Sequence, residues 1–344
     1  MKKEERIAEI KARLAGHGPA ADERYTSQET VDKLVDLEET MANEVFALKH
    51  AEHFAARDIM LHFGALAIEY GLQESDEFHR LSMQMRTMSC TIGSIKRGFA
   101  GELRMKEGLR IMTFDPDVKI LYNLTLHDEV SKTEYDAIVI TPYGIFVVEA
   151  KNFRGAAYIT DKGMLQRQDD AIAEYNLGEK MNNKEFLLRN CLGDLASVPY
   201  HGLLLYVDEN ASIIDDYRQI PVVFCNTVAS VIRGYDQGKN YITFEQVQEI
   251  EKRIKEHCVE SKYPCRIDCK QIIDDFAYLM SEIEERADKA NQKENDKTTA
   301  AQAAFQKAST PNSKTGKVVK RRVWPKVLGG VALFVGGIVI GHKL

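Results

Sequence analysis

The fold is decided by the stretch EYDAIVITPYGIFVVEAKN, residues 134–152. It contains two short apolar runs rich in Ile and Val, and each run has the length and composition of a buried strand. Between the runs lie Pro142, Tyr143 and Gly144, which are turn-forming residues. The stretch therefore predicts a β-hairpin.

The register of this hairpin predicts where its polar residues lie. If the turn is centred on Pro142 and Tyr143, then Thr141 faces Gly144, and counting outward pairs Asp136 with Glu149. Residues directly opposite on an antiparallel pair have their Cβ atoms about 5 Å apart. Strand alternation brings Lys151 to the same face, one pleat further along.

Two opposed carboxylates destabilise a sheet unless a cation joins them, because like charges repel and burial disfavours both anions. Hard oxygen ligands favour Mg²⁺, or Mn²⁺ in its place, and we expect Asp136, Glu149 and the backbone carbonyl of Ala150 to bind it. Lys151 beside the ion would stabilise charge developing on a phosphodiester. The alternative is a structural hairpin whose acids and lysine are solvated counter-ions.

Other segments define the fold class. We predict α/β architecture, with a mixed sheet flanked by helices, because the apolar runs are near-continuous and alternate with helical stretches. The further strands are predicted at residues 156–160, 203–207 and 220–224, and the helices of this part at residues 98–112, 169–195 and 244–258.

The first part of the chain reads as an all-helical module. Helices are predicted over residues 2–15, from Ser27 to about Ile59, and from Ser75 to about Lys96, where apolar residues recur at steps of three and four. The apolar stripe of the second helix fits packing either within the chain or in a homodimer through these N-terminal helices.

The charge is unevenly distributed. The net charge is -6, but the nine basic residues that follow Asp296 leave residues 1–296 at -15. Contact with nucleic acid must therefore be local. It would use the basic residues Lys96, Arg97, Arg104, Lys106 and Arg110, which alternatively form only a solvated helix face.

The C-terminal segment predicts a membrane anchor. Residues 327–341 carry no charge, and Trp324 and the flanking basic residues are typical of a bilayer interface. We expect a C-terminal tail anchor that leaves the protein on the cytoplasmic face, and the alternative is an interfacial or self-associating helix. The charged N-terminus lacks the apolar run of a secretory signal, which also favours the cytoplasm.

The hairpin with its continuation, DAIVITPYGIFVVEAKNFRG, resembles the NERD (nuclease-related) family of the PD-(D/E)xK nuclease superfamily. The resemblance implies a restriction-endonuclease-like core and a catalytic set of Asp136, Glu149 and Lys151. It adds Glu102, which lies in a Gly-Glu pair like that of the family's leading helix. For an extra residue borne on a helix, the chain offers as candidates Gln166, Gln168, Asn182, Asn183 and Lys184.

The sequence thus predicts a metal-dependent nuclease, with DNA favoured over RNA, held at a membrane. The alternatives are a nuclease fold that binds nucleic acid without cleaving it and a membrane-anchored helical scaffold. The predicted organisation is a helical module (1–97), a nuclease domain (98–258), a helix (259–290), a disordered basic linker (291–322) and a transmembrane tail (323–344).

Overall fold

The structure is a computed structural model that describes residues 3–49, 54–153, 155–167 and 175–309. Its helices are α1 (Lys3–Leu14), α2 (Ser27–Lys49), α3 (Ile59–Glu69), α4 (Asp76–Leu109), α5 (Leu177–Leu192), α6 (Val228–Arg233), α7 (Phe244–Glu256) and α8 (Cys269–Ser309). Short 3-10 helices occupy Ala56–Asp58, Arg110–Phe114 and Gly193–Leu195.

The strands form one central sheet and two smaller ones. They are β1 (Arg24–Tyr25), β2 (Lys119–His127), β3 (Lys132–Thr141), β4 (Gly144–Lys151), β5 (Ala156–Ile159), β6 (Met164–Arg167), β7 (Tyr175–Asn176), β8 (Tyr200–Tyr206), β9 (Ser212–Asp215), β10 (Val222–Phe224) and β11 (Tyr263–Pro264). The central sheet has the order β10-β8-β4-β3-β2, a second has the order β7-β6-β5-β9, and β1 pairs with β11.

The central sheet is mixed and is covered on both faces. Strands β4, β8 and β10 run parallel, whereas β2, β3 and β4 are joined as antiparallel neighbours. Residues of α5 and α7 pack on one face, and residues of α4 and α6 pack on the other. Burial on both faces explains why β3 and β4 are apolar without alternation. The predicted class of a mixed sheet flanked by helices after a helical region is confirmed.

The N-terminal helices have a core of their own. The stripe on α2 (Val31, Leu34, Leu37, Met41 and Val45) is buried together with residues of α1, α3, the first half of α4, and α8. This stripe therefore packs within the chain. Because α4 contributes Leu81 and Met85 to this core and Met105 and Leu109 to the sheet, one helix belongs to both regions.

The predicted break near Gly98 is wrong, because α4 is one continuous helix from Asp76 to Leu109. Ser75 caps it by accepting a hydrogen bond from the Phe78 amide at 3.3 Å. Glycine lowers helix propensity by about 1 kcal/mol, but tertiary packing overrides that cost. At Gly108 an added Cβ would lie only 2.4 Å from the Cys225 carbonyl oxygen, so this helix needs a glycine to approach the loop after β10.

Other boundaries also differ from the prediction. The helix expected to run from Ser27 to Ile59 is two helices, because Ala55 adopts an extended conformation before the 3-10 turn at Ala56–Asp58. Helix α5 begins at Leu177 rather than at residue 169, and Asn176 caps it by accepting from the Glu179 amide at 3.1 Å. Residues 168–174 lie outside the described part of the chain.

The chain divides into two units, residues 1–289 and 290–344. In the second unit, residues 290–309 continue α8, where a linker was predicted from composition. Alanine, glutamine and lysine are frequent there, and they are good helix formers. None of the helices within the described ranges is both long enough and apolar enough to cross a bilayer. The predicted tail, residues 323–344, lies outside those ranges.

Candidate active site

The predicted hairpin and its register are confirmed. Thr141 pairs with Gly144 and Ala137 pairs with Val148, so the next pair outward is Asp136 and Glu149. The strands that carry these residues are held in the centre of the sheet, with β2 beyond β3 and β8 beyond β4. The two acids are therefore fixed opposite one another by the backbone.

Asp136 is oriented by the backbone of the facing strand. Its Oδ2 accepts a hydrogen bond from the Ala150 amide at 2.7 Å. Burial and, to a smaller extent, the negative charge of Glu149 raise the pKa of Asp136 to about 6, against the opposing effect of Lys184. The charged form of Asp136 is thus destabilised by its surroundings, and a bound cation would stabilise it.

Glu149 is the most buried of the acids, with 1% of its surface exposed. Three lysines surround its carboxylate: Lys180 at 2.5 Å and Lys151 at 3.1 Å from Oε1, and Lys184 at 2.6 Å from Oε2. Burial alone would raise the pKa of Glu149, but the ammonium groups of Lys184, Lys151 and Lys180 outweigh it and hold this pKa well below its usual range. Glu149 is consequently a buried anion.

Lys180 and Lys184 come from α5, where they lie one helical turn apart on the same face. Of the candidates on this helix, Lys184 reaches the acids, whereas Asn182 and Asn183 are exposed. Lys180 was not predicted. The spacing of four residues between two lysines on the helix that follows the hairpin was the signal that could have identified it.

Glu102 is connected to β2, which lies beside the strand that carries Asp136. It accepts a hydrogen bond from the side chain of Asn123 in β2. The residues on either side of Asn123 pair with Ala137 and Tyr135, so Asn123 stands beside Asp136 across the sheet. Asn123 has a positive φ of 52°, a conformation in which asparagine is enriched. No motif or spacing in the sequence singles out this asparagine.

The loop after Lys151 packs against α4. An added Cβ on Gly101 would lie 3.0 Å from the Cβ of Asn152, whose side-chain amide donates to the Arg97 carbonyl at 2.8 Å. This contact places the basic stretch of α4, with exposed Arg97, Arg104 and Lys106, next to the end of β4. Gln166 instead lies in the second sheet, paired with Tyr158, and Gln168 is outside the described residues.

A cleft of about 470 Å³ opens where the parallel strands β8 and β10 end. It adjoins the end of β4, because the amide of Val207, which lines the cleft, donates to the Lys151 carbonyl at 2.9 Å. Its charged lining consists of Arg104 together with Glu107, Asp208 and Glu209. Carboxyl ends of parallel strands are a common place for ligand sites, but the acidic lining disfavours a phosphate here.

The oxygen donors available to a divalent cation at this site come from opposing strands. Asp136 and Glu149 supply hard oxygen atoms from opposing strands, and a carboxylate has about four acceptor positions, of which the three lysines take three on Glu149. One acceptor position of Glu149 is therefore left beside the lysines, on the oxygen that accepts from Lys184. In the described part of the chain, no group of three or more His, Cys, Asp or Glu residues is placed to hold a metal ion.

Residues 97–207 match the family model of the nuclease-related domain (NERD). We call residues 97–207 the nuclease-related segment. It covers about a third of the chain and contains the acids, Lys151 and the two lysines of α5. The predicted NERD resemblance is confirmed. Comparison with curated proteins and with solved structures returned no match.

Proposed function

We propose that the nuclease-related segment hydrolyses phosphodiester bonds of nucleic acid in a metal-dependent reaction, with DNA favoured as substrate. The observation that carries this proposal is the convergence of Asp136, Glu149 and Lys151 at the end of a buried hairpin. Two opposed acids and a lysine that are buried together contribute little to stability. In a segment that matches a nuclease-related family, they suit metal-assisted hydrolysis of a phosphodiester. The mixed sheet with helices on both faces suits a restriction-endonuclease-like core.

Asp136 and Glu149 would hold Mg²⁺ or Mn²⁺ together with the backbone carbonyl of Ala150, the residue between Glu149 and Lys151 in β4. The ion would supply Lewis-acid polarisation of the phosphodiester and a lower pKa for the attacking water. The Ala150 amide keeps the Asp136 carboxylate in place. Lys151 would donate a hydrogen bond to the reacting phosphate and stabilise its developing negative charge. Glu102 would act through Asn123, beside Asp136.

The test is a cleavage assay with the purified full-length chain. Plasmid DNA, single-stranded DNA and RNA are each incubated with Mg²⁺, with Mn²⁺ or with a chelator. The proposal expects cleavage of DNA with either metal and none with the chelator. Asp136→Asn keeps an acceptor for the Ala150 amide but removes the negative charge, so we expect the rate of DNA cleavage to fall by at least about 10²-fold. Asp161→Asn in an exposed turn is the matched control.

The environment of Glu149 favours one other function. Both of its oxygens are engaged by lysines, as they would be in a nuclease fold that binds nucleic acid without cleaving it. Binding of DNA with the same affinity in Mg²⁺ and in chelator, without product in either, would support this second function and reject the first.

We further propose that residues 323–344 tether the protein to the cytoplasmic face of a membrane. The uncharged run 327–341 and the basic residues before it support this proposal. Dimerisation through the N-terminal helices also remains a proposal. The stripe on α2 does not support it, because that stripe is buried within the chain. Sedimentation of the detergent-solubilised full-length chain would test it, with a monomer rejecting it.

A further inference from the structure

The side chains of β2 and β3 change faces at one position of the central sheet. In a regular strand, residues three apart lie on opposite faces. Leu121 and Leu124 of β2 nevertheless both pack on the face that α5 and α7 cover. Tyr135 and Ile138 of β3 also both pack on that face. The alternation of side chains therefore shifts by one residue in each strand.

The shift coincides with one pair of residues. Tyr122 and Ala137 are paired and pack on the opposite face, with residues of α4 and α6. The next pair outward is Asn123 and Asp136, which the ladder between β2 and β3 passes over before it resumes in the same register. Both strands thus deviate at the position that carries the first of the two acids.

Asn123 provides the local cause of the shift. Its φ of 52° lies in the left-handed region, whereas a strand residue normally has a negative φ. It belongs to β2, the last strand in the order of the central sheet. A left-handed residue in an edge strand acts as a β-bulge does, because it turns the strand and re-aims the side chains beside it. Asparagine adopts this conformation more readily than most residues.

Helix α4 holds Asn123 in this conformation. The side-chain amide of Asn123 donates a hydrogen bond to the Glu102 carboxylate. Glu102 follows Gly101, where α4 approaches so closely that an added Cβ would lie 3.0 Å from the Cβ of Asn152. The acceptor therefore lies on a segment that is packed against the loop after β4 and does not depend on β2 for its place.

The consequence at Asp136 is a side chain that reaches along the sheet. In regular alternation a side chain stands roughly perpendicular to the sheet. Asp136 instead reaches the backbone of the facing strand, where its Oδ2 accepts a hydrogen bond from the Ala150 amide at 2.7 Å. This hydrogen bond fixes the carboxylate at the part of β4 that carries Glu149.

We propose that Asn123 is a positioning residue: held by Glu102 in a left-handed conformation, it turns the Asp136 carboxylate onto the Ala150 amide. This inference deepens the proposed function and rests on it for the purpose of Asp136, the acid that would bind the metal. It assigns Glu102 to the orientation of that acid through Asn123, and not to the metal itself.

The test is hydrogen exchange of the Ala150 amide, resolved by NMR in the full-length chain with chelator. Valine at a positive φ is a conformational outlier, so Asn123→Val should restore regular alternation and release this amide. We expect its exchange to accelerate at least about tenfold. Asn123→Gly keeps access to positive φ and should accelerate exchange less. His127→Val, at another exposed position of β2, is the matched control.

An amide elsewhere in β4 separates this local effect from a general loss of stability. The Ile145 amide donates to the Pro199 carbonyl at 2.8 Å, far along β4 from Asp136. We expect its exchange to stay as in wild type in Asn123→Val. Equal acceleration of the Ile145 and Ala150 amides would show that Asn123 supports the whole fold, and would overturn the inference.

Glu102 is tested by two substitutions. Glu102→Gln keeps an acceptor for the Asn123 amide, whereas Glu102→Ala removes it. We expect Ala150 exchange to accelerate in Glu102→Ala and to remain as in wild type in Glu102→Gln. In cleavage assays, Asn123→Val should raise the Mg²⁺ concentration for half-maximal rate by about 10–100-fold, and Glu102→Gln should leave it unchanged. A rise in Glu102→Gln as large as that in Asn123→Val would make Glu102 a metal ligand and contradict the inference.

The exchange measurement needs neither metal nor substrate, so the two proposals fail separately. Unchanged Ala150 exchange in Asn123→Val, in a protein that cleaves DNA, overturns the role of Asn123 alone. Accelerated exchange in a protein that cleaves no nucleic acid supports the positioning of Asp136 by Asn123 and overturns the proposed function.

Discussion

Glu149 shows what a buried charge requires of its neighbours. Its carboxylate is almost fully covered, and each oxygen has at least one ammonium group within hydrogen-bonding distance. Taking a carboxylate out of water costs several kcal/mol, which only close and well-oriented partners offset. The cluster is therefore a poor source of stability and a good way to hold one anion in one place. Such an arrangement is expected in a functional site, where one anion must be held in place, more than in a hydrophobic core.

The two lysines of α5 should differ in their effect on stability. Lys184→Met removes the partner of a buried anion, so we expect the free energy of unfolding to fall by about 3–5 kcal/mol. Lys180→Met removes a partly exposed partner, and we expect a fall of less than about 1 kcal/mol. Urea denaturation of both variants measures the difference. Equal losses of unfolding free energy in the two variants would contradict the expectation that the buried lysine contributes more than the partly exposed one.

His201 predicts one contribution to the pH dependence of stability. It stacks on Phe146 at 4.9 Å and packs at a tilt against Tyr235 at 4.4 Å between ring centres, and burial lowers its pKa, with a smaller opposite effect of Glu185. The unfolded chain therefore binds a proton at this residue more readily than the folded chain does, so the contribution of His201 to wild-type stability falls as pH drops below about 6.5.

Replacing His201 removes this contribution. In His201→Phe the ring contacts are kept, and the loss of stability between about pH 6.5 and 5 should be smaller than in wild type. Thermal melting across this range compares the two proteins. Parallel pH profiles would show that His201 is protonated equally in the folded and unfolded states.

At the scale of elements, α4 connects the helical core with the sheet that carries the acids. Its first half buries Leu81, Met85 and Met88 among helices, and its second half buries Met105 and Leu109 against β3 and β4. Two of its glycines lie where the chain approaches closely, at Asn152 and at Cys225. These two glycines thus serve packing, although each lowers intrinsic helix propensity.

Two alanine substitutions in α4 should have opposite effects. At Gly108 the new methyl group meets the Cys225 carbonyl, so we expect Gly108→Ala to destabilise the protein by about 1–3 kcal/mol. At exposed Gly98 nothing lies within 4 Å, and Gly98→Ala should stabilise it by about 0.4–1 kcal/mol. Chemical denaturation measures both. Stabilisation by both substitutions would contradict the close approach at Gly108.

The hairpin could be predicted from sequence because local chemistry determines it. Turn residues between two apolar runs fix the register, and the register alone places Asp136 opposite Glu149. The break at Gly98 was mispredicted because propensity is weaker than the packing of Gly101 and Gly108. Strand β2 was missed because its apolar residues are interrupted by Asn123, whose role depends on Glu102 from a distant helix.

The part of the candidate site that lies on the β3–β4 hairpin could be predicted from sequence. Asp136, Glu149 and Lys151 lie within one stretch of sequence, so strand geometry relates them. Lys180 and Lys184 reach Glu149 only because α5 packs on the face of the sheet where Glu149 points. Sequence reasoning cannot choose between the faces of a sheet that is buried on both.

At the scale of the whole molecule, charge separates the acidic body from the basic C-terminal segment. Deleting residues 323–344 should release the protein from membranes if these residues are a tail anchor. Cell fractionation with alkaline extraction compares the full-length chain with the shortened one. The full-length chain should stay with the membrane pellet, and the shortened chain should move to the supernatant. If the full-length and the shortened chain divide equally between pellet and supernatant, residues 323–344 are not the membrane tether.

The central claim is that Asp136, Glu149 and Lys151 act together on a phosphodiester. It is tested most directly by the single-turnover rate of DNA cleavage in Mg²⁺ for wild type, for Lys151→Gln, and for Lys162→Gln in an exposed turn. We predict that Lys151→Gln slows cleavage by at least about 10²-fold while keeping the wild-type fold, and that Lys162→Gln cleaves like wild type. Equal cleavage rates for wild type and Lys151→Gln, or no cleavage by wild type, would contradict the claim.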